Sequence, residues 1–280
     1  MKSPDAKPSL PTIAFIGGGN MARSLIGGLL QAGATANQVH VAEPVAELRD
    51  ALARDFNVHV FSDAASAATH AEVWVLAVKP QVLREVCTVL APVAQANQPL
   101  VVSIAAGITG AQIDRWLGGG IAVVRCMPNT PALLGAGVTG LHANSTVNAE
   151  QRDIAQTLLT SAGKTVWVDD ESLMDAVTGV SGSGPAYVFL LAEALQAAGE
   201  AEGLPADAAR TLTIETLLGA SRMLAADDTA AAELRRRVTS PNGTTQAAIE
   251  SFEADGFREV VARAVHAARI RGAELAAAND

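Results

Sequence analysis

The run Val238-Thr239-Ser240-Pro241-Asn242-Gly243-Thr244-Thr245 has the residue types to hold a small carboxylate without a lysine. Proline, asparagine and glycine make a turn, and the two threonines open a helix. A helix start carries free N–H groups, and hydroxyls add further donors, so an anion is favoured there. Ser240, Asn242, Gly243, Thr244 and Thr245 are therefore the candidate substrate-binding residues. The setting gives the run its weight: beyond Lys164 the chain has no lysine, and its one histidine there is His266. Chemistry in this half must work with few ordinary proton carriers.

A second site opens the chain. Ile13-Ala14-Phe15-Ile16-Gly17-Gly18-Gly19-Asn20-Met21-Ala22 reads as strand, glycine turn and helix start, and satisfies G-x-G-x-x-A. Gly17 permits the tight turn, Gly19 lets a pyrophosphate approach the backbone, and Ala22 keeps the helix close to the sheet. Gly17 to Ala22 are thus candidate dinucleotide-binding residues. Glu43 follows the next strand, at the place where an acid takes ribose hydroxyls and disfavours a 2′-phosphate; this points to NADH over NADPH. Ala77-Val78-Lys79-Pro80 and Ala105-Ala106-Gly107 stand at later strand ends, where ligands of open α/β sheets bind. Lys79 is a candidate phosphate partner or a surface cation. Cys126-Met127-Pro128-Asn129-Thr130-Pro131 makes a proline-bracketed turn, with Asn129 and Thr130 suited to a nicotinamide amide or a substrate.

The elements that must position these residues fall into two halves. Short apolar runs, Thr12–Ile16, Val39–Val41, Val58–Phe61, Val73–Val78, Leu100–Ile104 and Ile121–Arg125, read as strands. Helix-spaced stretches at Met21–Leu30, Val45–Ala53 and Val82–Leu90 alternate with them, which argues for a parallel sheet covered on both faces. Val138–His142 and Thr165–Val168 add two strands around a helix from about Asn148 to Ala162. After Val168 the strand signal stops. Ser172–Val180, Pro185–Glu202, Pro205–Leu224, Ala230–Val238, Thr245–Ala254 and Phe257–Ala278 read as helices, with Pro185 and Pro205 in first-turn positions. Ala186–Ala198 is apolar almost all round, so it must be buried on most sides. A helical half this small has little interior to hide it, and a dimer interface is the natural remedy. The expected organisation is an α/β fold: a flexible tail at 1–11, a Rossmann dinucleotide-binding domain at 12–168 and an all-α substrate-binding and dimerisation domain at 169–280.

Composition narrows the function further. Of the 280 residues 49% are hydrophobic, enough for a real core. The net charge is −9, and residues 165–280 hold the surplus, with nine Lys/Arg against eighteen Asp/Glu. Neither half has the basic stripe of a nucleic-acid binder. The longest strongly apolar stretch, Val73–Val78, is far below a membrane span. The first residues read as a loose tail and not as a signal peptide, so a cytoplasmic location is expected. Cys87 and Cys126 read as free thiols, and the five scattered histidines give no metal site. His266 reads as a packing residue and Tyr187 as core with a satisfied hydroxyl. Ser181-Gly182-Ser183-Gly184-Pro185 serves close helix contact or lines the substrate pocket. Asp169-Asp170-Glu171 reads as a solvated run, with Glu171 the member placed to approach the nicotinamide end.

Gly17–Ala22, Ala77–Pro80, Arg125–Pro131, Asp175–Tyr187 and Val238–Thr245 together resemble pyrroline-5-carboxylate reductase, from Thr12 to about Glu274. The last two segments are the specific ones; the first is shared by many dehydrogenases. The resemblance implies an NAD(P)H-dependent reduction of the cyclic imine 1-pyrroline-5-carboxylate to L-proline, the final step of proline biosynthesis. It implies a homodimer, extended in many members to rings of dimers. It implies that the turn at Ser240, Gly243, Thr244 and Thr245 holds the substrate carboxylate, and that the catalytic Thr245 hydroxyl faces the ring nitrogen. It places Asp63 near the adenosine end. The chain departs from the family pattern at Asp63 and Arg237, where asparagine is frequent, and at Glu43, where small or basic residues consistent with NADPH are common. The choice between NADPH and NADH stays open on this reading.

An imine is far more basic than a ketone, so it can arrive protonated or take a proton from a hydroxyl or water. A threonine hydroxyl suffices to orient it. Two other readings stand beside this one. A β-hydroxyacid dehydrogenase has a similar two-domain plan but uses a lysine in its helical domain, which this chain lacks. A non-catalytic nucleotide-binding protein would not need the intact Ser240–Thr245 turn.

Overall fold

The structure, a computed structural model, describes residues 10–279. Residues 1–9 of the expected tail lie outside the described residues. The strands are β1 (Ile13–Ile16), β2 (Val39–Ala42), β3 (His59–Phe61), β4 (Val73–Leu76), β5 (Leu100–Ser103), β6 (Ala122–Met127), β7 (Gly137–Ala143) and β8 (Gly163–Trp167). The helices are α1 (Asn20–Gln31), α2 (Ala46–Phe56), α3 (Ala64–Ala68), α4 (Pro80–Asn97), α5 (Gly110–Trp116), α6 (Ala149–Thr160), α7 (Met174–Val177), α8 (Gly184–Ala201), α9 (Ala206–Ala226), α10 (Ala231–Arg237), α11 (Thr244–Ala254) and α12 (Phe257–Ala278).

The strands form one sheet in the order β3-β2-β1-β4-β5-β6-β7-β8. Pairings are parallel except β6 with β7, which is antiparallel. Because strand side chains alternate between faces, the sheet builds two cores. Ile13, Phe15, Val73 and Val75 face one way, onto Leu25 and Ile26 of α1, Leu52 of α2 and Leu158 of α6. Ala14, Ile16, Trp74 and Leu76 face the other way, onto Ala67 of α3, Leu83 and Leu90 of α4 and Ile113 of α5. This double coverage explains the nearly continuous apolar strands. Strand order reverses at β1, between β2 and β4, and the carboxyl ends of β1, β2, β4, β5 and β6 share one edge. A crevice at that edge is the expected ligand position.

The architecture is thus a Rossmann-type sheet followed by helices alone. Two short helices, α3 and α5, were not anticipated, and a π-helical turn at Thr178–Gly182 continues α7. Gly33, at φ +103°, follows α1 as a left-handed stop. Pro205 stands at the N-cap of α9, one position before the expected first turn.

The chain divides into two compact units. One runs up to Ser183 and includes the chain from Ala267; the other is Gly184–His266. In the first unit the end of α12 is tied down: Gln112 Nε2 donates to the Ala276 carbonyl at 3.0 Å, and a Cβ on Gly107 would lie 3.0 Å from Leu275 Cβ. The second unit has α8 packed along α9 but little interior. Among its described residues only Ala209 and Thr213 are buried. Burial of Ala186–Ala198 is therefore not achieved within one chain: Phe189 and Leu190 of α8 are 67% and 66% exposed. Other apolar residues of this unit, such as Leu212, Leu218 and Phe252, are themselves exposed and leave that helix uncovered. His266 is likewise exposed, not packed, and Tyr187 is half-buried.

Candidate active site

The glycine turn joins β1 to α1. Gly17 adopts φ +105°, and a Cβ there would lie 2.7 Å from the Ala77 carbonyl oxygen. Glycine is required at this position on both counts. Gly19 is the N-cap of α1, and a Cβ on it would meet nothing within 4 Å. No side chain caps this helix and no acidic residue lies in its first turn. The N–H groups of Asn20, Met21 and Ala22 thus lack helical acceptors and face a space kept clear by glycine. These residues fit a dinucleotide pyrophosphate.

Glu43 extends β2 and is 7% exposed. Its Oε2 accepts the Gly18 N–H at 3.1 Å, and its Oε1 accepts the Val45 N–H at 3.0 Å. Arg49 folds back beside it, with Nη1 donating to the carbonyls of Glu43 at 2.9 Å and Pro44 at 3.2 Å. Asp63 is exposed and caps α3 by accepting the Ser66 N–H at 2.8 Å, which holds its carboxyl below the usual range. Ala77 and Val78 line the loop after β4, half-buried; Lys79 is exposed at the N-cap of α4, and Pro80 begins that helix. After β5, Ala105 and Gly107 are buried and Ala106 is exposed.

The turn after β6 is more structural than its composition suggested. Asn129 is buried, donates Nδ2–H to the Ser181 carbonyl at 3.2 Å, and accepts the Val138 N–H at 3.0 Å. Its side chain pins β7 and the π-turn, while Thr130 beside it is exposed. Gly182 sits against Met127, whose Cε occupies the place of any Cβ, so this glycine serves close packing. Glu171 is also engaged within the fold. It accepts the Gly110 N–H at 2.6 Å and pairs with Arg125 at 3.3 Å, while Asp175 takes the other arm of Arg125 at 3.2 Å. The sequence carried a signal for this cluster, since Arg125 is a cation in an apolar strand. Among the described residues no group of three His, Cys, Asp or Glu side chains is placed to hold a metal ion.

In the helical unit, Ser240 to Gly243 forms a turn closed by the Gly243 N–H to the Ser240 carbonyl at 3.1 Å. Pro241 precedes Asn242 at φ +58°, the pattern of a type II turn. Asn242 donates its N–H to Gln246 Oε1 at 2.7 Å. Gly243 then caps α11 with no side-chain partner. The N–H groups of Thr244 and Thr245 therefore lack helical acceptors, and both residues are exposed beside Ser240. Arg237 is not directed at this turn by any ion pair of its own: it bonds Glu233 one turn back on α10 at 2.9 Å.

Known proteins supply the deciding comparison. A pyrroline-5-carboxylate reductase from Pseudomonas aeruginosa is 53% identical over 268 residues, covering 96% of this chain and 98% of that protein. The chain belongs to the pyrroline-5-carboxylate reductase family. The family model described as pyrroline-5-carboxylate reductase dimerisation matches residues 171–275, and one described as NADP oxidoreductase, coenzyme F420-dependent, matches residues 12–107. A solved pyrroline-5-carboxylate reductase from Coxiella burnetii superposes with a TM-score of 0.92 at 41% identity, over 95% of this chain and 98% of that one. The Plasmodium falciparum enzyme, solved with NADP bound, gives 0.83 at 27% identity, over 96% and 99%. The expected family, its Rossmann-plus-helical fold and its oxidoreductase class are thereby established, and both rival readings fall away. As a member of the pyrroline-5-carboxylate reductases, the chain has a nicotinamide-dinucleotide-binding domain and a helical dimerisation region.

Proposed function

We infer that the chain reduces 1-pyrroline-5-carboxylate to L-proline with a reduced nicotinamide dinucleotide, as the last step of proline biosynthesis. Beyond family membership, the observation that supports this reading is the Ser240–Gly243 turn opening onto the uncapped start of α11. We propose that Ser240, Asn242, Gly243, Thr244 and Thr245 hold the substrate carboxylate. Backbone N–H groups and hydroxyls bind an anion there without a lysine, which suits an acidic half.

The cofactor supplies a hydride to the imine carbon, and the ring nitrogen gains one proton. The pyrroline nitrogen is basic enough to enter as an iminium. Thr245 orients it: its hydroxyl can accept from the iminium N–H or donate to a neutral imine. No strong side-chain acid is needed, in keeping with a helical half that lacks lysine. Gly17 to Ala22 would cradle the pyrophosphate. Ala77–Pro80, Ala105–Gly107, Asp63, Asn129 and Thr130 are assigned to the cofactor's borders. For Asn129 this means its backbone, since its side chain is already bonded within the fold.

At the adenosine end we assign a preference for NADH. The Glu43 carboxylate can accept ribose hydroxyls, whereas a 2′-phosphate would place further negative charge against it. The exposed apolar face of α8 supports a homodimer, which the family resemblance extends to rings of dimers. No helix among the described residues is long and apolar enough to cross a membrane, and a cytoplasmic location accords with two free cysteines. The test is an assay of the purified chain with 1-pyrroline-5-carboxylate and each reduced cofactor, following cofactor oxidation and L-proline together. Proline formed in proportion to cofactor oxidised is expected; no turnover with either cofactor would overturn the reading.

A further inference from the structure

Glu43 does more in this fold than mark the ribose position. Its two carboxylate oxygens take the N–H groups of Gly18 and Val45, and the residue is almost sealed from solvent. Gly18 is the middle of the glycine turn. On one side stands Gly17, pressed against the Ala77 carbonyl; on the other is Gly19, which caps α1. Gly17 has its own backbone partner, donating to the Ala42 carbonyl at 2.9 Å. Among the described residues, Glu43 is the acceptor for Gly18. Leu52 packs there with Glu43: its Cδ1 is 2.5 Å, and Glu43 Oε2 3.2 Å, from where a Cβ on Gly18 would be. Glu43 is braced in turn, since Arg49 bonds its carbonyl and its own N–H donates to the Phe61 carbonyl at 2.9 Å.

We propose that Glu43 is a positioning residue for the Gly17–Gly19 turn, fixing it through Gly18 in the conformation that receives a pyrophosphate. This role is separate from any reading of the ribose, and it rests on the dinucleotide assignment made above. A flexible glycine triplet has many conformations to lose on binding. An acceptor that removes them beforehand lowers the cost of binding for either cofactor. The two roles are also coupled. To move away from a 2′-phosphate, the carboxylate must release Gly18, so the disfavouring of NADPH is built into the turn.

Two variants separate the roles. Glu43→Gln removes the charge but keeps an oxygen acceptor for the Gly18 N–H; Glu43→Ala removes both. Hydrogen exchange in the cofactor-free protein reads the turn directly. Loss of a backbone hydrogen bond to a carboxylate should quicken Gly18 exchange by about tenfold or more in Glu43→Ala. It should stay near the wild-type rate in Glu43→Gln, with the β4 amides unchanged in both variants. Fluorescence titration with NADH and NADPH gives the second readout. Glu43→Ala should bind both cofactors more weakly than Glu43→Gln does, by about fivefold to tenfold, because the pyrophosphate is common to them. Equal Gly18 exchange in all three proteins would overturn the proposal. So would a difference between the variants confined to NADH, which would leave ribose reading as the whole role. Exchange needs no turnover, so a protein inactive on the imine would sink the reductase reading and leave this measurement intact.

Discussion

Arg125 Nη2 lies 3.2 Å from Asp175 Oδ1, joining the middle of the sheet to the first helix after it. The Arg125 side chain is 6% exposed, and Glu171 takes its other arm while capping α5 through Gly110. Asp175 is also the neighbour of Gly272 in α12, where a Cβ would lie 3.4 Å from the carboxylate. One buried cation therefore gathers β6, α5, α7 and the end of α12. Removing it strands two partly buried carboxylates, which costs about 3–5 kcal/mol in comparable pairs. Arg125→Met should lower stability by that order in urea unfolding, and Asp175→Asn by less because an acceptor remains. An Arg125→Met protein as stable as wild type would show that the cluster contributes no net stability.

Two glycines of one turn should behave oppositely. Gly17→Ala forces a side chain into positive φ and against the Ala77 carbonyl, and should cost about 2 kcal/mol or more. Gly19→Ala meets no protein atom at φ −68°, so stability should change by less than about 1 kcal/mol. Its methyl instead takes space reserved for a phosphate, and cofactor affinity should fall about tenfold or more. Melting curves paired with cofactor titration check both. Unaltered affinity in Gly19→Ala would remove the pyrophosphate from this turn.

The apolar surface of α8 should be an interface between copies. Wild-type protein should run as a dimer or larger by light scattering, with a melting temperature that rises with concentration. Phe189→Asp should lower the mass and the stability together, since Phe189 is 67% exposed in one chain. A single-chain mass with a concentration-independent melt would contradict the interface.

Both thiols should be inert in the native protein. Burial pushes Cys87 up to about 12 and raises Cys126 as well, so neither forms appreciable thiolate near neutrality. Iodoacetamide at pH 8 should leave both unmodified by mass spectrometry and label both once the chain is unfolded. Rapid native alkylation of either would show that its surroundings open.

The sheet was legible because buried parallel strands are apolar on both faces, as Val73–Leu76 shows. The helical half was legible from its proline and glycine punctuation. What failed to show was short or non-local. α3 is Ala-Ala-Ser-Ala-Ala, too brief to display a period, and α5 was missed although Thr109 and Gln112 form a capping box. The glycine turn, Glu43 and the strand ends follow from topology, so their neighbourhood could be read. That Glu43 would bond Gly18, or Asn129 would bond Ser181, depends on side-chain geometry that no spacing encodes. For Glu171 the sequence offers a solvated run or an approach to the nicotinamide end, and not its bond to Arg125, because that partner lies 46 residues away. That α8 needs cover from beyond its own chain was legible, because Ala186–Ala198 is apolar almost all round and the helical half is too small to bury it.

The most direct test is cofactor oxidation by 1-pyrroline-5-carboxylate with wild type, Thr245→Ser and Thr245→Ala side by side. Wild type should turn over, and Thr245→Ser should keep most of kcat/KM because the hydroxyl remains. Thr245→Ala should lose about tenfold to a hundredfold, the range for removing one oriented donor from a reacting centre. Thr245→Ala turning over as fast as wild type would contradict the placement of the imine at the Ser240–Thr245 turn.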